Sequence, residues 1–190
     1  MFSKAIYNHQ AGNINEAEKI YKKIIKIDSK IDVVQNNLGM IYLKSNKKKL
    51  AQLCFSNAIK INSNYIEAYN NLALLNNEIG EYNKSIIYSK KVLEIEPHAA
   101  KALFNLAYSY GKIGNKKDEI KFYLKALRLD PKHFSSYNNL ALIYYESGEL
   151  YATTKKLLIT DRGSIGDLTL WYKSGMKQVA IVMENETKGK

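Results

Sequence analysis

Asparagine recurs in this 190-residue chain at a fixed interval: Asn37, Asn71, Asn105 and Asn139 stand 34 residues apart, and Asn36, Asn70 and Asn138 precede three of them. A primary amide carries two N–H donors, a carbonyl acceptor and no charge. A row of such groups can hydrogen-bond the backbone of an extended peptide whatever its side chains. The same amides can instead pair with a neighbouring helix, and the sequence leaves both uses open. Reactive chemistry has less footing. His9, His98 and His133 are isolated, two of them just past Pro97 and Pro131, and no metal-ligand spacing or phosphate-binding loop is visible. The single cysteine, Cys54, sits beside Phe55 on the packing side of a helical pattern with no histidine near it in register. A buried, inert thiol fits that setting better than a nucleophile. The expectation is a non-enzymatic chain with no cofactor, no bound metal and no small-molecule substrate.

The elements that must carry the asparagines follow the same interval. Leu38-Gly39, Leu72-Ala73, Leu106-Ala107 and Leu140-Ala141 are 34 residues apart. Tyr42, Tyr110 and Tyr144 lie four residues after their leucines, with Asn76 as the exception. Ala51 opens the next segment, where Ser85, Glu119 and Thr153 match less well. Phe55 and Tyr123 then fill an aromatic slot that Ser89 and Leu157 fill weakly, and Ala58, Val92 and Ala126 follow. Apolar residues at steps of three and four, such as Leu38, Ile41 and Tyr42 and then Ala51, Phe55, Ala58 and Ile59, predict amphipathic helices. Gly12, Gly80, Gly114 and Gly148, with Asn46 in the remaining unit, stand where the first helix of each pair must end in a left-handed residue. Five helical hairpins are expected, over about 2–28, 31–62, 65–96, 99–130 and 133–160. A self-similar period of this size predicts a stack in which neighbouring units cover one another's apolar stripes.

The order Leu-Gly or Leu-Ala, Tyr, Ala, aromatic, Ala and finally Pro97 or Pro131 resembles the tetratricopeptide repeat. The resemblance implies an all-α fold, a right-handed α-solenoid of about five repeats, with units at about 1–31, 32–65, 66–99, 100–133 and 134–160. The first unit, with Lys4 in place of the leucine, would be a polar end cap. The resemblance also implies that the first helices line a concave groove taking an extended peptide or a partner's helix. On that footing Asn36, Asn37, Asn70, Asn71, Asn105, Asn138 and Asn139 form a ladder similar to that of the O-linked N-acetylglucosamine transferases. Lys101 and Tyr108 complete the expected site, with Met40, Leu74 and Leu142 forming an apolar strip beside them. A carboxylate clamp of the chaperone-binding members is matched in part by Asn37, Asn71 and Lys101, but Val33 replaces its first lysine and Asn105 its arginine.

After about Thr160 the interval stops. Asp161 to Asp167 is turn-forming, and Trp171-Tyr172 and Val179 to Met183 read as two short strands. Gly166, Trp171-Tyr172, Gly175, Asn185 and Gly189 resemble one variant MORN repeat, which implies a β-hairpin over part of 161–190; a capping helix anchored by Trp171 and Met176 is the alternative.

The net charge of +11 raises a second function class, electrostatic binding of RNA or DNA. The clusters Lys22-Lys23, Lys47-Lys48-Lys49, Lys116-Lys117 and Lys155-Lys156 fall on or beside the second helices, where a solvated outer wall accounts for them. The expected partner is therefore a protein or peptide rather than nucleic acid, and self-association through the ends of the stack is a further possibility. No stretch has the length of an apolar membrane span. The start, Met1-Phe2-Ser3-Lys4, has no apolar leader run, and with one cysteine the expectation is the cytoplasm.

Overall fold

The computed structural model describes the backbone of residues 1–146 and the side chains of 1–143. By their internal contacts the residues group into 1–119 and 120–190. Among the described residues there are nine helices and no strand. In order they are α1 (Phe2–Gln10), α2 (Ile14–Ile27), α3 (Asp32–Lys44), α4 (Lys48–Ile61), α5 (Ile66–Glu78), α6 (Tyr82–Ile95), α7 (Ala100–Lys112), α8 (Lys116–Leu129) and α9 (Phe134–Glu146). The expected all-helical repeat fold is what forms. The hairpin or capping helix expected within 161–190, and with it the MORN-like reading, lies outside the described residues. So do Gly148 and the last lysine pair.

One turn serves every helical hairpin in residues 1–119. Gly12, Gly80 and Gly114 take φ of 80°, 81° and 80°, and Asn46 takes 56° in the same place. The next residue's N–H returns to the carbonyl five positions back: Asn13 to Asn8, Lys47 to Tyr42, Glu81 to Asn76 and Asn115 to Tyr110, at 2.8 to 2.9 Å. This is the Schellman closure, in which a left-handed residue lets two otherwise orphaned carbonyls find donors. The turns between hairpins use a different device. Asp28 and Asn62 end their helices in an extended conformation, and their side chains accept the N–H two residues on, Lys30 at 2.8 Å and Asn64 at 3.0 Å. Such Asx turns stop a helix without glycine.

The small residues decide how closely the paired helices lie. Ala5, Ala73 and Ala107 are fully buried, and at Gly39 an added Cβ would stand 2.6 Å from the Phe55 ring. The apolar core of α1 to α4 contains Ala17, Tyr21, Val34, Leu38, Ile41 and Phe55 and runs on to Leu72 and Leu75 in α5. A smaller cluster joins Tyr69, Val92, Ala99 and Ala102. Each buried Leu, Ile or Phe contributes about 1.5 to 3 kcal/mol, so packing between hairpins, not helix propensity, holds the stack.

Within 120–146, Tyr123, Ala126 and Leu127 of α8 and Leu140, Ala141 and Ile143 of α9 are buried. Asn139 donates to the Tyr123 hydroxyl at 2.7 Å, tying these two helices together. No described helix is long and apolar enough to cross a membrane.

Candidate functional site: the asparagine face of the first helices

The asparagines precede the signature leucines by one and two residues, so in α3, α5 and α7 they lie beside the stripe that packs inward. A residue one step from a buried position is rotated about 100° round a helix, which sets it at the edge of the packed face. Small differences in the neighbours then decide whether it sees water. Asn36, Asn70, Asn71 and Asn105 are each more than nine-tenths buried. Asn37, Asn139 and Tyr108 are half-buried, and Lys101 and Asn138 are exposed. The residues grouped in sequence thus fall into a buried set and an accessible set.

The buried amides have partners of their own. Asn71 donates to the Oδ1 of Asn36 at 2.9 Å, linking α5 to α3 as the helix-pairing use of these residues requires. Asn36 also lies against the Tyr65 hydroxyl. Burial, with the Glu67 and Asp32 charges behind it, pushes that phenol up to about 12 while Asn36 opposes the rise. Asn37 faces the Tyr21 hydroxyl, whose pKa burial raises and Asn37 lowers, although the pair falls short of hydrogen-bond geometry. Asn139 and Tyr123 stand in that same relation 102 residues on, with the bond made. In the carboxylate-clamp comparison, the amides of Asn71 and Asn105 would have to reach a ligand, and both are buried.

The accessible part of the face is of mixed character. Met40, Leu74 and Tyr108 hold one register position on α3, α5 and α7, and each is half-buried. Lys44, Lys101, Lys112 and Glu78 stand exposed around them. The Lys112 ammonium lies 5.2 Å from the centre of the Tyr108 ring, a cation–π contact that orders both side chains. Glu78 is paired with Lys48 at 3.7 Å.

Elsewhere the chemistry is subdued. Burial pushes the Cys54 thiol up to about 11, with the Lys22 charge opposing, so the nucleophilic thiolate is scarce. Among the described residues no group of three His, Cys, Asp and Glu side chains could hold a metal ion. Several outer lysines are partly neutralised: Lys22 meets Glu18 at 2.6 Å, Lys84 meets Glu81 at 3.3 Å and Lys91 meets Glu94 at 2.9 Å.

One buried cluster escaped the sequence reading. Ser109 of α7 sits with its Oγ 2.9 Å from that of Ser85 in α6, 2.7 Å from the Asn77 Oδ1 in α5 and 2.7 Å from its own helix's Asn105 carbonyl. A hydroxyl has one proton, so Ser109 donates to one of the two carbonyl oxygens and accepts from Ser85. The signal was present in Ser85 and Asn76, which depart from the repeat's own pattern.

Comparison with known proteins places this architecture. The family model for the tetratricopeptide repeat matches residues 2–31, 34–65, 66–98 and 100–133, and a second model described by the same name matches 122–153. No curated protein matches the chain by sequence. Among solved structures, a crystal structure of MamA is 19% identical over 97% of this chain and 96% of its own, with a TM-score of 0.72. MamA 41-end from Desulfovibrio magneticus RS-1 reaches 0.77 at 15% identity, covering 91% of this chain and 94% of its own. At such identities the likeness is one of fold. The repeat matches cover most of the chain and agree with its helices, and the chain belongs to the tetratricopeptide repeat family.

Proposed function

We propose that the chain is a non-enzymatic scaffold that binds an extended peptide or a partner's helix against the first helices of its repeats. The observation that carries this reading is the line of Met40, Leu74 and Tyr108, half-buried side chains at one register position on α3, α5 and α7, flanked by exposed Lys44, Lys101, Lys112 and Glu78. Apolar anchors with charged borders suit a peptide or an amphipathic helix. In this proposal Asn37, Asn138, Asn139, Lys101 and Tyr108 meet the partner. Asn36, Asn70, Asn71 and Asn105 form the floor beneath, fixing the spacing of the helices that present it. The division into a repeat region, 1–160, and an extension, 161–190, belongs to the same proposal, as does a reducing, cytoplasmic setting.

A photo-reactive amino acid at position 108 tests the site, with Ile87 on α6, an exposed position on a second helix, as the control. Cross-linking in cells to a discrete protein from position 108 and not from 87 is the expected result. Cross-links to nucleic acid, or protein cross-links from 87 alone, would overturn it. In that event the lysine-rich second helices become the contact surface, and affinity should fall steeply with salt.

A further inference from the structure

The third hairpin, α5 and α6, departs from the repeat at three of its own signature positions. Asn76 stands where Tyr42 and Tyr110 stand, Ser85 where Ala51 stands, and Ser89 where Phe55 and Tyr123 stand. All three are fully buried. The consequence reaches the contact between this hairpin and α7. Asn105 follows Asn70 by 35 residues, as Asn71 follows Asn36, but the bond made by the earlier pair is missing in the later one. The Asn105 Nδ2, the Asn70 Oδ1, the Ser89 Oγ and the Asn76 Oδ1 are all buried from water with no hydrogen-bond partner. By register, Asn70, Ser89 and Asn105 belong to one layer, between α5, α6 and α7. A buried amide without a partner forfeits its hydration and gains nothing in return.

The closing contacts of this layer are themselves polar: Ser109 with Ser85 and Asn77, and the Asn77 amide to the Asn105 carbonyl at 3.5 Å. Separating them exposes amides and hydroxyls, which water can satisfy. The layers around Phe55, Ile41 and Leu38 would expose hydrocarbon instead.

From this contrast we propose that the contact between the α5–α6 hairpin and α7 is a polar seam that opens reversibly while the preceding layers stay closed. Opening relieves the orphaned groups at Asn70, Ser89 and Asn105 and hydrates the Ser85–Ser109–Asn77 cluster. It also alters the spacing between Leu74 on α5 and Tyr108 on α7. If the binding face proposed above is correct, a partner spanning those two side chains would select the open or the closed seam.

The chain carries its own reference probe, because Cys54 is a buried thiol in α4, in the apolar part of the stack. In the full-length Ser89→Cys variant, both thiols are followed by native-state labelling with an alkylating reagent. The thiol at position 89 should react at least about tenfold faster than that of Cys54, the advantage expected from a layer weakened by unpaired polar groups. Adding Asn70→Leu and Asn105→Leu, which removes both orphaned amides, should slow labelling at 89 by about tenfold and leave Cys54 unchanged. Equal rates at the two thiols would mean that only global unfolding exposes them, and the proposal fails. It fails equally if the leucine pair speeds labelling at 89, since the amides would then be satisfied by enclosed water. Should Ser89→Cys not fold, hydrogen exchange on the unaltered chain decides: amides of α7 exchanging ahead of those of α3 and α4 support the seam, and uniform protection overturns it.

Discussion

Gly39 shows how much one side chain decides in this repeat. Alanine is the better helix former by about 1 kcal/mol, so propensity alone favours Gly39→Ala. The Phe55 ring, fully buried and 2.6 Å from where that methyl would stand, opposes it. Overpacking of a closed core costs about 1 to 3 kcal/mol, and the clash should win. Gly39→Ala is therefore expected to lower stability by about 1 kcal/mol in urea unfolding, and adding Phe55→Leu should recover part of the loss. His9 supplies a second residue-scale expectation. Burial first and the Lys44 charge second hold its pKa below 6.5. The unfolded chain then binds the proton more readily, so the stabilising contribution of His9 is present above its unfolded pKa and is lost as pH falls through the folded one. Melting temperatures between about pH 7.5 and about pH 5.5 should fall for the natural chain and fall less for His9→Gln. Identical slopes would remove His9 from the account.

At the scale of elements, the turn within each hairpin was legible because its demand is local. A left-handed residue must follow the first helix, and Gly12, Gly80, Gly114 and Asn46 answer at the repeat interval. The use of asparagine at one such place has a measurable cost. Asn46→Gly should raise stability by a few tenths of a kcal/mol to about 1 kcal/mol, read as a higher melting temperature, while Gly80→Ala should lower it by a similar amount. An unchanged melt for Asn46→Gly would show that the asparagine side chain offsets its backbone strain. The Asx turns at Asp28 and Asn62 were in the same interval, yet no special conformation marks them in sequence. The direction of the asparagines was the hardest to read. Asn36 and Asn37 differ by one step round α3, and their separation into a buried and a half-buried side chain depends on Tyr65, Tyr21 and the next helix. Periodicity locates a face of a helix to within a residue, but hydrogen-bond partners across hairpins decide which residue of the two is covered.

For the molecule as a whole, the unresolved competition is between its excess of positive charge and its ion pairs. Twenty-nine Lys and Arg stand against 18 Asp and Glu, a net charge of +11 that repels itself in the folded state. The ion pairs that offset this repulsion are exposed: in Lys84–Glu81 and Lys91–Glu94 the four side chains keep between 43% and 65% of their surface open to solvent. Pairs of that kind are worth about 0.2 to 1 kcal/mol each and weaken as salt rises. Repulsion among many like charges is screened by the same ions, since the Debye length shrinks to about 8 Å at physiological ionic strength. The larger effect belongs to the unpaired excess, so raising the salt from about 20 mM to about 300 mM should stabilise the chain and raise its melting temperature. A fall instead would mean that the lysine–glutamate pairs of the second helices outweigh the net charge. The outer wall would then be a bonded surface rather than a solvated one, and the case against an electrostatic nucleic-acid partner would grow stronger, because its lysines would already be engaged.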